Sequence, residues 1–416
     1  MRSAESIQER VVVTGLGVVS CLGIGTGEFW KNLVAGKSGI GELSTIRADN
    51  LRFRKVGEVR DFDAAKLTSR PEAQSLGRTS QFAVSAALLA LKDAGLHMDG
   101  ELTGYADPDH IGVVMGTTTG EQQVVERMIE KRLGMLEEFD QGLAAPAGNS
   151  VIATNISDFF ELSGYSVVLP AACSGGNYAI AHAYDLLRTG RISIALAGGA
   201  DCLSRHFLYG FARLGALAPD RCRPFDKNRR GIIPGEGAGV LVLETLKSAQ
   251  ERKAQIYSEV LGYGLSSDAH HPVAPDPEGR GAARAMEEAI AHSHIAPESV
   301  QYISAHGTGT VINDSVETLA IKKVFGDYAY ELPVSSIKSM LGHPASAASA
   351  LEAIACNLAI QAGVIPPTIN YEEQDPCCDL DYVPNTARRT EVNVAMNNSH
   401  AFLGSNASVL FGRVYR

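Results

Sequence analysis

The stretch Ser166-Val-Val-Leu-Pro-Ala-Ala-Cys-Ser-Gly-Gly-Asn-Tyr-Ala-Ile180 sets the architecture of this chain. An apolar run ends at Pro170, a turn of small residues presents Cys173, and apolar positions recur at helical spacing from Gly175 onward. A buried strand that turns tightly into a helix is typical of α/β folds. The turn places Cys173 near unpaired N–H groups at a helix N-terminus, which favours its thiolate. A lone cysteine is more often a small buried thiol, so other parts of the sequence must decide between these interpretations.

Two histidines far downstream favour a chemical role for Cys173. His306 lies in the turn Ala305-His-Gly-Thr-Gly-Thr310, and His343 lies in Gly342-His-Pro344. A single histidine is more often a hydrogen-bonded core residue than a catalyst. A cysteine together with two histidines, all in glycine-containing turns, is a constellation for covalent acyl chemistry.

Further polar residues accompany the two histidines. Lys338 precedes His343 by five residues, while Asp314 and Glu317 follow the His306 turn. We expect these carboxylates to orient Lys338, although a purely structural ion pair between Lys338 and Glu317 is the competing interpretation. The polar turn at 397–406 separates two predicted C-terminal strands and offers a backbone N–H to a developing oxyanion.

Composition limits the class of protein. The chain has 416 residues, a net charge of −10 and 45% hydrophobic residues, which fits a globular protein with two halves or one large layered domain. The acidic balance argues against a general nucleic-acid binder. Seven cysteines without a C-x-x-C pair indicate neither a disulfide framework nor a zinc site. With no apolar signal core at the N-terminus and no run of membrane-spanning length, we expect a cytoplasmic protein that does not enter the membrane.

Strands and helices alternate along the chain, which predicts sheets covered by helices on both faces. Residues 78–94 form an amphipathic pattern that Gly95 ends. Strand patterns at 11–17 and 192–197 each run into glycines, and we expect a turn there. The first of these turns lacks the third glycine of a dinucleotide-binding motif, so it is interpreted as structural.

The pattern then repeats. Residues 257–264 resemble 11–17, the strand and turn at 302–307 resemble 111–116, and 333–343 with the helix at 345–361 resemble 167–173 and its helix. We therefore expect two pseudo-symmetric halves, an N-terminal half at 1–256 that carries the nucleophile and a C-terminal half at 257–416 that carries both histidines. Cys173 and His343 would then lie at matching helix N-termini that face one site.

Four motifs carry a resemblance to a known family: Ala172-Cys-Ser-Gly175, His306-Gly-Thr-Gly-Thr310, Ser336-Ile-Lys-Ser-Met-Leu-Gly-His343 and the Phe402–Asn406 turn. Together they resemble the decarboxylating β-ketoacyl synthases of the thiolase superfamily, and the elongating β-ketoacyl-[acyl carrier protein] synthase II type most of all. The resemblance extends from Arg10 to Phe411.

This resemblance implies a thiolase fold of five layers, α/β/α/β/α, and a dimer without a bound cofactor or metal. It implies that Cys173 is acylated from the phosphopantetheine of an acyl carrier protein, and that His306 and His343 act in malonyl decarboxylation. Lys338 would hold the side of the network formed by Glu317 and Glu352. The remaining implied roles are an oxyanion hole from the backbone N–H groups of Cys173 and Phe402, an acyl-pocket gate at Phe402, and pantetheine contacts at Thr308 and Thr310.

Several residues depart from the family pattern. Leu403 replaces a glycine next to the Phe402 gate, His400 replaces a residue that is commonly aromatic, and Ile232 stands where a phenylalanine often lines the site. The loop also reads Asn313-Asp314 instead of Gly-Asp, which resembles the ketosynthase subunits of type II polyketide systems. Those subunits often pair with a chain-length factor that lacks the cysteine.

Three functional interpretations follow. A ketosynthase of a type II polyketide or polyene pathway is favoured, as a homodimer or as a heterodimer with a chain-length-factor-like homologue, over a housekeeping fatty-acid elongation synthase. A degradative thiolase would need a second catalytic cysteine, and the 397–406 turn has none. Arg213 is a weak candidate for docking an acidic carrier protein, with a solvated arginine as the equal alternative.

Overall fold

A computed structural model describes residues 9–48, 50–52, 54–134 and 147–415. Its strands follow the apolar runs of the sequence. In chain order they are β1 (Val11–Ser20), β2 (Gly23–Ile24), β3 (Gly41–Glu42), β4 (Lys55–Val56), β5 (His97–Met98), β6 (Glu101–Leu102), β7 (Ile111–Gly116), β8 (Ser166–Leu169), β9 (Ile194–Asp201), β10 (Gly237–Thr245), β11 (Ser258–Ser267), β12 (Tyr302–Ser304), β13 (Val334–Ser335), β14 (Val364–Ile365), β15 (Arg388–Arg389), β16 (Val394–His400) and β17 (Ser405–Gly412).

The helices fill the intervals between these strands. They are α1 (Thr26–Val34), α2 (Ala64–Thr68), α3 (Arg78–Asp93), α4 (Gln122–Arg132), α5 (Val151–Phe159), α6 (Gly175–Arg188), α7 (Arg205–Arg213), α8 (Leu246–Glu251), α9 (Arg280–Ser293), α10 (Val311–Phe325), α11 (Lys338–Leu341) and α12 (Ser346–Ala362). The predicted helix at 78–94 is α3, and Gly95 follows it with a φ of 69°. Short 3₁₀ turns at Ala172–Ser174 and Phe402–Gly404 lie beside the cavity that contains Cys173.

The main sheet contains the same order of equivalent strands twice, once from each edge inward to the centre. From its N-terminal edge to its centre the order is β8, β7, β9, β10, β1, and from its C-terminal edge to its centre it is β13, β12, β16, β17, β11. In both series the two outer pairings are parallel and the two inner pairings are antiparallel. The series join where β1 pairs antiparallel with β11. This repeated strand order agrees with the internal repeat that the sequence predicts.

Helices cover both series and fill the space between them. Helix α3 packs on β1 and β10 on one outer side, and α9 packs on β11 and β17 on the other. Helices α6 and α12 contact each other between the two series, where α6 packs on β9 and α12 packs on both β10 and β16. The order is helix, sheet, helix, sheet, helix, so the predicted five-layer α/β/α/β/α thiolase fold is confirmed.

Glycines that the sequence analysis assigned to turns lie inside strands, so that assignment is wrong. Strand β1 continues through Gly17 to Ser20, and β9 continues through Gly198 and Gly199 to Asp201. A Cβ at Gly17 would lie 1.8 Å from the carbonyl oxygen of Ala86 in α3, and one at Gly264 would lie 2.1 Å from that of Ala285 in α9. These glycines therefore permit close helix–sheet packing rather than chain reversal.

Some expectations remain untested by the fold. The boundary between the halves at residue 256 stays a prediction, although β10 ends before it and β11 begins after it. The N-terminal residues 1–8, on which the absence of a signal sequence was judged, lie outside the described residues. Within the described ranges, none of the helices has the length and apolar character needed to cross a bilayer.

Candidate active site

One cavity is lined by the turns of both halves that carry the candidate catalytic residues. Its volume is about 380 Å³, and Cys173, His306 and His343 all contribute to its wall. The Cys173 turn and the His343 turn reach it from the ends of the two central helices. The other predicted site residues that line it are Ile232, Thr308, Thr310, His400 and Phe402.

Cys173 follows a strained residue, because Ala172 has a φ of 45°, in the left-handed region. The Cys173 side chain is buried, and its residue is only 7% exposed. Burial raises the pKa of the thiol to about 12, and the nearby Lys338 ammonium offsets this only in part. Desolvation thus opposes the thiolate that the helix N-terminus is expected to favour, and the resting thiol keeps its proton at neutral pH. A proton acceptor is needed when the thiol attacks.

His306 and His343 are neutral donors and acceptors beside that thiol. The ligand atoms of the two histidines and Cys173 lie within 4.8 Å of one another, and the imidazole ring centroids are 5.5 Å apart. Burial and the Lys338 ammonium lower the pKa of both histidines well below the usual value. A cysteine and two neutral histidines are a donor set that could bind zinc. The Lys338 ammonium that repels protons from these imidazoles also opposes a divalent cation, and the predicted absence of a metal stays a prediction.

Lys338 is fully buried and is held by Glu352 instead of Glu317. Its Nζ donates to the Glu352 carboxylate and, at 2.7 Å, to the backbone oxygen of His306. Burial raises the pKa of Glu352 to about 7, and the Lys338 charge opposes that rise. The expectation that Glu317 orients Lys338 is wrong, because Glu317 accepts hydrogen bonds from the backbone N–H groups of His306 and Gly307 at 2.7 and 2.8 Å.

Asp314 likewise supports the backbone of the loop rather than Lys338. Its carboxylate accepts from the backbone N–H of Gly309 at 3.2 Å and from that of Phe225 at 2.7 Å. The hydroxyls of Thr308 and Thr310 are 2.9 Å apart above it and face the cavity. Two carboxylates thus fix the loop that carries His306 and the two threonines.

The Phe402 turn closes another side of the cavity. The Phe402 ring stacks on Phe211 with centroids 5.6 Å apart. Leu403 adopts a φ of 67° with its side chain 70% exposed, so a position that favours glycine carries a strained leucine. The Ser174 hydroxyl donates to the Ser405 carbonyl oxygen at 2.8 Å, which fastens the turn of Cys173 to the strand after Phe402.

The remaining predicted residues occupy different environments. Ile232 is buried in the cavity wall, and His400 ends β16 with its ring centroid 5.8 Å from that of His306. Arg213 ends α7, is exposed, and lines a shallow depression outside the cavity. Its docking role therefore receives no support from the cavity itself.

Other lining residues were not identified from the sequence. Phe211, Arg230, Asp268 and His271 contribute to the cavity wall, with Arg230 and His271 exposed at its mouth. No spacing connects these residues with Cys173, because each comes from a loop or helix end that only the fold brings near. The turn-rich run that ends at Gly231 was the single sequence signal close to Arg230.

A thiol and two neutral imidazoles buried at the base of a cavity, beside the central helices of a five-layer fold, define an acyl-transferring enzyme of thiolase architecture. Two family models match the chain: the N-terminal domain of β-ketoacyl synthases at residues 8–249 and the C-terminal domain at residues 257–372. The chain belongs to the β-ketoacyl synthase family. It is an acyltransferase, a ketosynthase whose reaction is a Claisen condensation.

Individual relatives agree with this assignment. The chain is 40% identical over 416 residues to 3-oxoacyl-[acyl-carrier-protein] synthase 2 of Synechocystis sp., with 97% of this chain and 98% of the relative covered. The solved structure of the ishigamide ketosynthase/chain length factor superimposes with a TM-score of 0.92 at 42% identity, over 98% of this chain and 100% of that one. A type II PKS ketosynthase bound to a hexaketide and in complex with its acyl-carrier protein gives a TM-score of 0.89 at 32% identity, with the same coverage.

Proposed function

We propose that this enzyme condenses an acyl chain held on Cys173 with malonyl-[acyl carrier protein] and releases CO₂. The observation that carries the proposal is the grouping of one thiol and two neutral imidazoles within 4.8 Å in a buried cavity. The proposed catalytic residues are Cys173, His306, His343, Lys338 and Phe402, supported by Glu317, Glu352 and Asp314.

The first half-reaction transfers the acyl chain. The Cys173 sulfur attacks the thioester carbonyl, its proton passes to a neutral histidine, and the phosphopantetheine thiol leaves with a proton. A thiol whose burial raises its pKa to about 12 requires this proton transfer at neutral pH. The backbone N–H groups of Cys173 and Phe402 hold the oxyanion of the tetrahedral intermediate.

The second half-reaction forms the carbon–carbon bond. Loss of CO₂ from the malonyl thioester leaves an enolate whose oxygen accepts hydrogen bonds from His306 and His343. The enolate carbon attacks the acyl carbonyl on Cys173, the C–S bond breaks, and the departing thiolate takes a proton from solvent, relayed by a histidine. Lys338, fixed by Glu352, keeps both imidazoles neutral, which suits donors in a dry pocket.

Substrate contacts and specificity follow from the cavity wall. Thr308 and Thr310 face the cavity and are placed to bind the pantetheine arm, which is the carrier of the substrate rather than a resident cofactor. Ile232 and His400 line the cavity and shape the acyl and malonyl positions, while the exposed Leu403 would act only through the turn of Phe402. Arg213 is exposed, and its positive charge is the one feature that supports a role in docking the acidic carrier protein.

The pathway we favour is a type II polyketide or polyene pathway, with an acyl carrier protein and a chain-length-factor-like homologue as partners. The 42% identity with a ketosynthase/chain length factor structure supports this choice, as does the Asn313-Asp314 form of the His306 loop. Two pseudo-symmetric halves that meet near residue 256 would form each protomer. The seven free cysteines fit a reducing compartment, which supports a cytoplasmic location.

Fatty-acid elongation by a homodimer is the second candidate. The 40% identity with a 3-oxoacyl-[acyl-carrier-protein] synthase 2 over nearly the whole chain favours it. A degradative thiolase is disfavoured, because the 397–406 turn has no second cysteine.

The test is a condensation assay with acyl- and malonyl-carrier protein, with the product identified by mass spectrometry. We expect a β-ketoacyl product two carbons longer than the acyl substrate, together with CO₂. Exclusive cleavage of β-ketoacyl-CoA would instead indicate a thiolase. Co-purification with a cysteine-less homologue would favour the heterodimer, and a self-associated enzyme active alone on saturated chains would favour fatty-acid elongation.

A further inference from the structure

His400 is a third histidine of the cavity wall, and its contacts indicate a role beyond shaping the pocket. It ends β16, its side chain is 6% exposed, and its ring centroid lies 5.8 Å from that of His306 at an interplanar angle of 71°. The two ring nitrogens point to different elements. Nδ1 lies 3.1 Å from Oδ1 of Asn406, and Nε2 lies 3.5 Å from Oε1 of Glu317.

Asn406 determines the proton on Nδ1. Its amide Nδ2 donates to the Asp268 carboxylate at 2.7 Å and lies 3.2 Å from the Gly404 carbonyl oxygen. A flipped amide would turn its own oxygen toward two acceptors, so the amide orientation is fixed. Oδ1 therefore faces His400, and because an amide oxygen only accepts, Nδ1 of His400 carries a hydrogen.

Glu317 determines the proton on Nε2. Its carboxylate accepts from two backbone N–H groups, those of His306 and Gly307. Burial opposes ionisation of Glu317, but the two N–H donors favour the charged carboxylate and lower its pKa. Nε2 makes no hydrogen bond within the described residues, and the Glu317 oxygen at 3.5 Å is the charged group that it faces. A bare nitrogen lone pair directed at a buried carboxylate is repulsive, whereas an N–H there is attractive.

The other charges around His400 agree with a cation at this position. His306 stays neutral, because burial, Lys338, His343 and His400 all lower its pKa. Lys338 is paired with Glu352 on the far side of His306, and Asp268 is connected to His400 through Asn406. The positive charges of Lys338 and His400 are thus matched by Glu352 and Glu317.

We propose that His400 is a doubly protonated imidazolium that ties Glu317, beneath the His306 loop, to Asn406 in the turn of Phe402. Because Nδ1 lies against Asn406 and Nε2 faces Glu317, His400 acts as a positioning residue in the cavity wall. It fixes the loop that presents His306 in register with the turn that presents the Phe402 N–H group. This role rests on the proposed condensation, but the protonation state does not.

The protonation state can be read without any substrate. The full chain is labelled with [¹⁵N]histidine, and His400→Phe identifies the signals of His400 by their loss. We expect both imidazole nitrogens of His400 to carry hydrogen at pH 7. An unprotonated Nε2 at pH 7 would overturn the proposal, and this result is independent of whether the enzyme condenses anything.

The positioning role is tested with the two half-reactions. In His400→Phe we expect kcat for malonyl decarboxylation to fall about tenfold, because it depends on the position of His306, and acylation of Cys173 to fall by a smaller factor, because it depends mainly on the Phe402 side of the link. His400→Gln, which keeps one donor, should lose less. We also expect the pH profile of decarboxylation to differ between the wild type and both variants, since neither variant carries the imidazole.

His110→Gln is the matched control, because His110 pairs with Asp107 at 2.8 Å on the surface, outside the cavity. It should keep the wild-type pH profile. Wild-type rates and pH profile in folded His400→Phe and His400→Gln would refute the positioning role. Absence of condensation in the wild type itself, with His400 doubly protonated, would refute the proposed function alone.

Discussion

The turns that precede the two central helices use the same strained geometry but place their functional side chains differently. Ala172 has a φ of 45° and is followed by Cys173, in the turn before α6. Ala345 has a φ of 49° and caps α12, but His343 comes two residues before it. The Ser346 hydroxyl donates to the Ala172 carbonyl oxygen, so the two turns are in direct contact.

This difference teaches how a repeated fold yields an asymmetric site. Equivalent framework positions bring the turns together, while the offset relative to the strained alanine decides which group enters the cavity. One half supplies a thiol whose pKa is raised by burial, and the other supplies an imidazole whose pKa is lowered by burial and by Lys338. Both groups are neutral at pH 7, which permits proton transfer between them during the reaction.

The largest expected effect comes from removing the nucleophile. Cys173→Ala should reduce condensation by at least about a thousandfold, because no other group can hold the acyl chain. His343→Ala should abolish decarboxylation but still allow Cys173 to be acylated, which would separate the roles of the two turns. Intact-protein mass spectrometry measures acylation, and CO₂ release measures decarboxylation.

Cys202→Ala is the control for that experiment. Cys202 is 1% exposed, its pKa is raised well above the usual value by burial, and it lies outside the cavity lining. Its replacement should leave condensation intact. Substantial condensation by folded Cys173→Ala would mean that the acyl chain is held elsewhere.

The contact between the two central helices should be nearly as sensitive. A Cβ at Gly176 of α6 would lie 2.6 Å from the backbone nitrogen of Ala350 in α12. Gly176→Ala should therefore lower the free energy of unfolding by about 3 kcal/mol, as overpacking does. Urea unfolding measures this, and a stability equal to the wild type would show that the helices are not pressed together.

The same substitution on an exposed helix has the opposite expected sign. A Cβ at Gly210 of α7 meets no atom of the described residues within 4 Å. Gly210→Ala should raise the free energy of unfolding by about 0.5–1 kcal/mol through helix propensity.

The pH dependence of the thiol sharpens the comparison further. Because burial raises the pKa of Cys173 to about 12, its thiolate fraction should increase about tenfold for each pH unit between 7 and 9. The rate of iodoacetamide alkylation, followed on the Cys173 peptide, should rise accordingly, whereas urea-unfolded protein should level off near pH 9. A native plateau below pH 8 would show that the helix N-terminus overcomes desolvation.

The smallest expected effect concerns Leu403. Since this exposed residue has a φ of 67°, Leu403→Gly should relieve left-handed strain and raise the free energy of unfolding by up to about 1 kcal/mol. Leu403→Ala keeps the strain and should give no gain. Thermal unfolding of the three proteins distinguishes the outcomes, and equal stabilisation by alanine and glycine would argue against strain.

Much of the fold was predictable, because strands and helices follow local patterns. The helix at 78–94 and the strand at 111–116 have the predicted positions, and the internal repeat indicated which turns correspond. The glycines in β1 and β9 were wrongly predicted to form turns, because a turn and a close helix contact both require a residue without a Cβ. Sequence alone does not distinguish these two uses.

The site was predictable in its members and less so in their contacts. Cys173, His306 and His343 meet in one cavity, as their turns indicate. Of the two carboxylates expected beside Lys338, the family resemblance correctly included Glu352, whereas Glu317, chosen from its place near the His306 turn, is wrong. Glu352 lies on α12 and reaches Lys338 only when that helix packs. The sequence shows that His400 departs from the family pattern, but it does not reveal the contacts of His400 with Glu317 and Asn406.

The sequence by itself determined the elements, the repeat and the chemical groups, because these depend on local periodicity and on side-chain identity. The tertiary structure decided the charge states. It buries Cys173, which raises the pKa of the thiol, and it pairs Lys338 with Glu352. It also places His400 between a carboxylate and an amide oxygen. Charge depends on desolvation and on neighbours distant in sequence, and both exist only after the chain has folded.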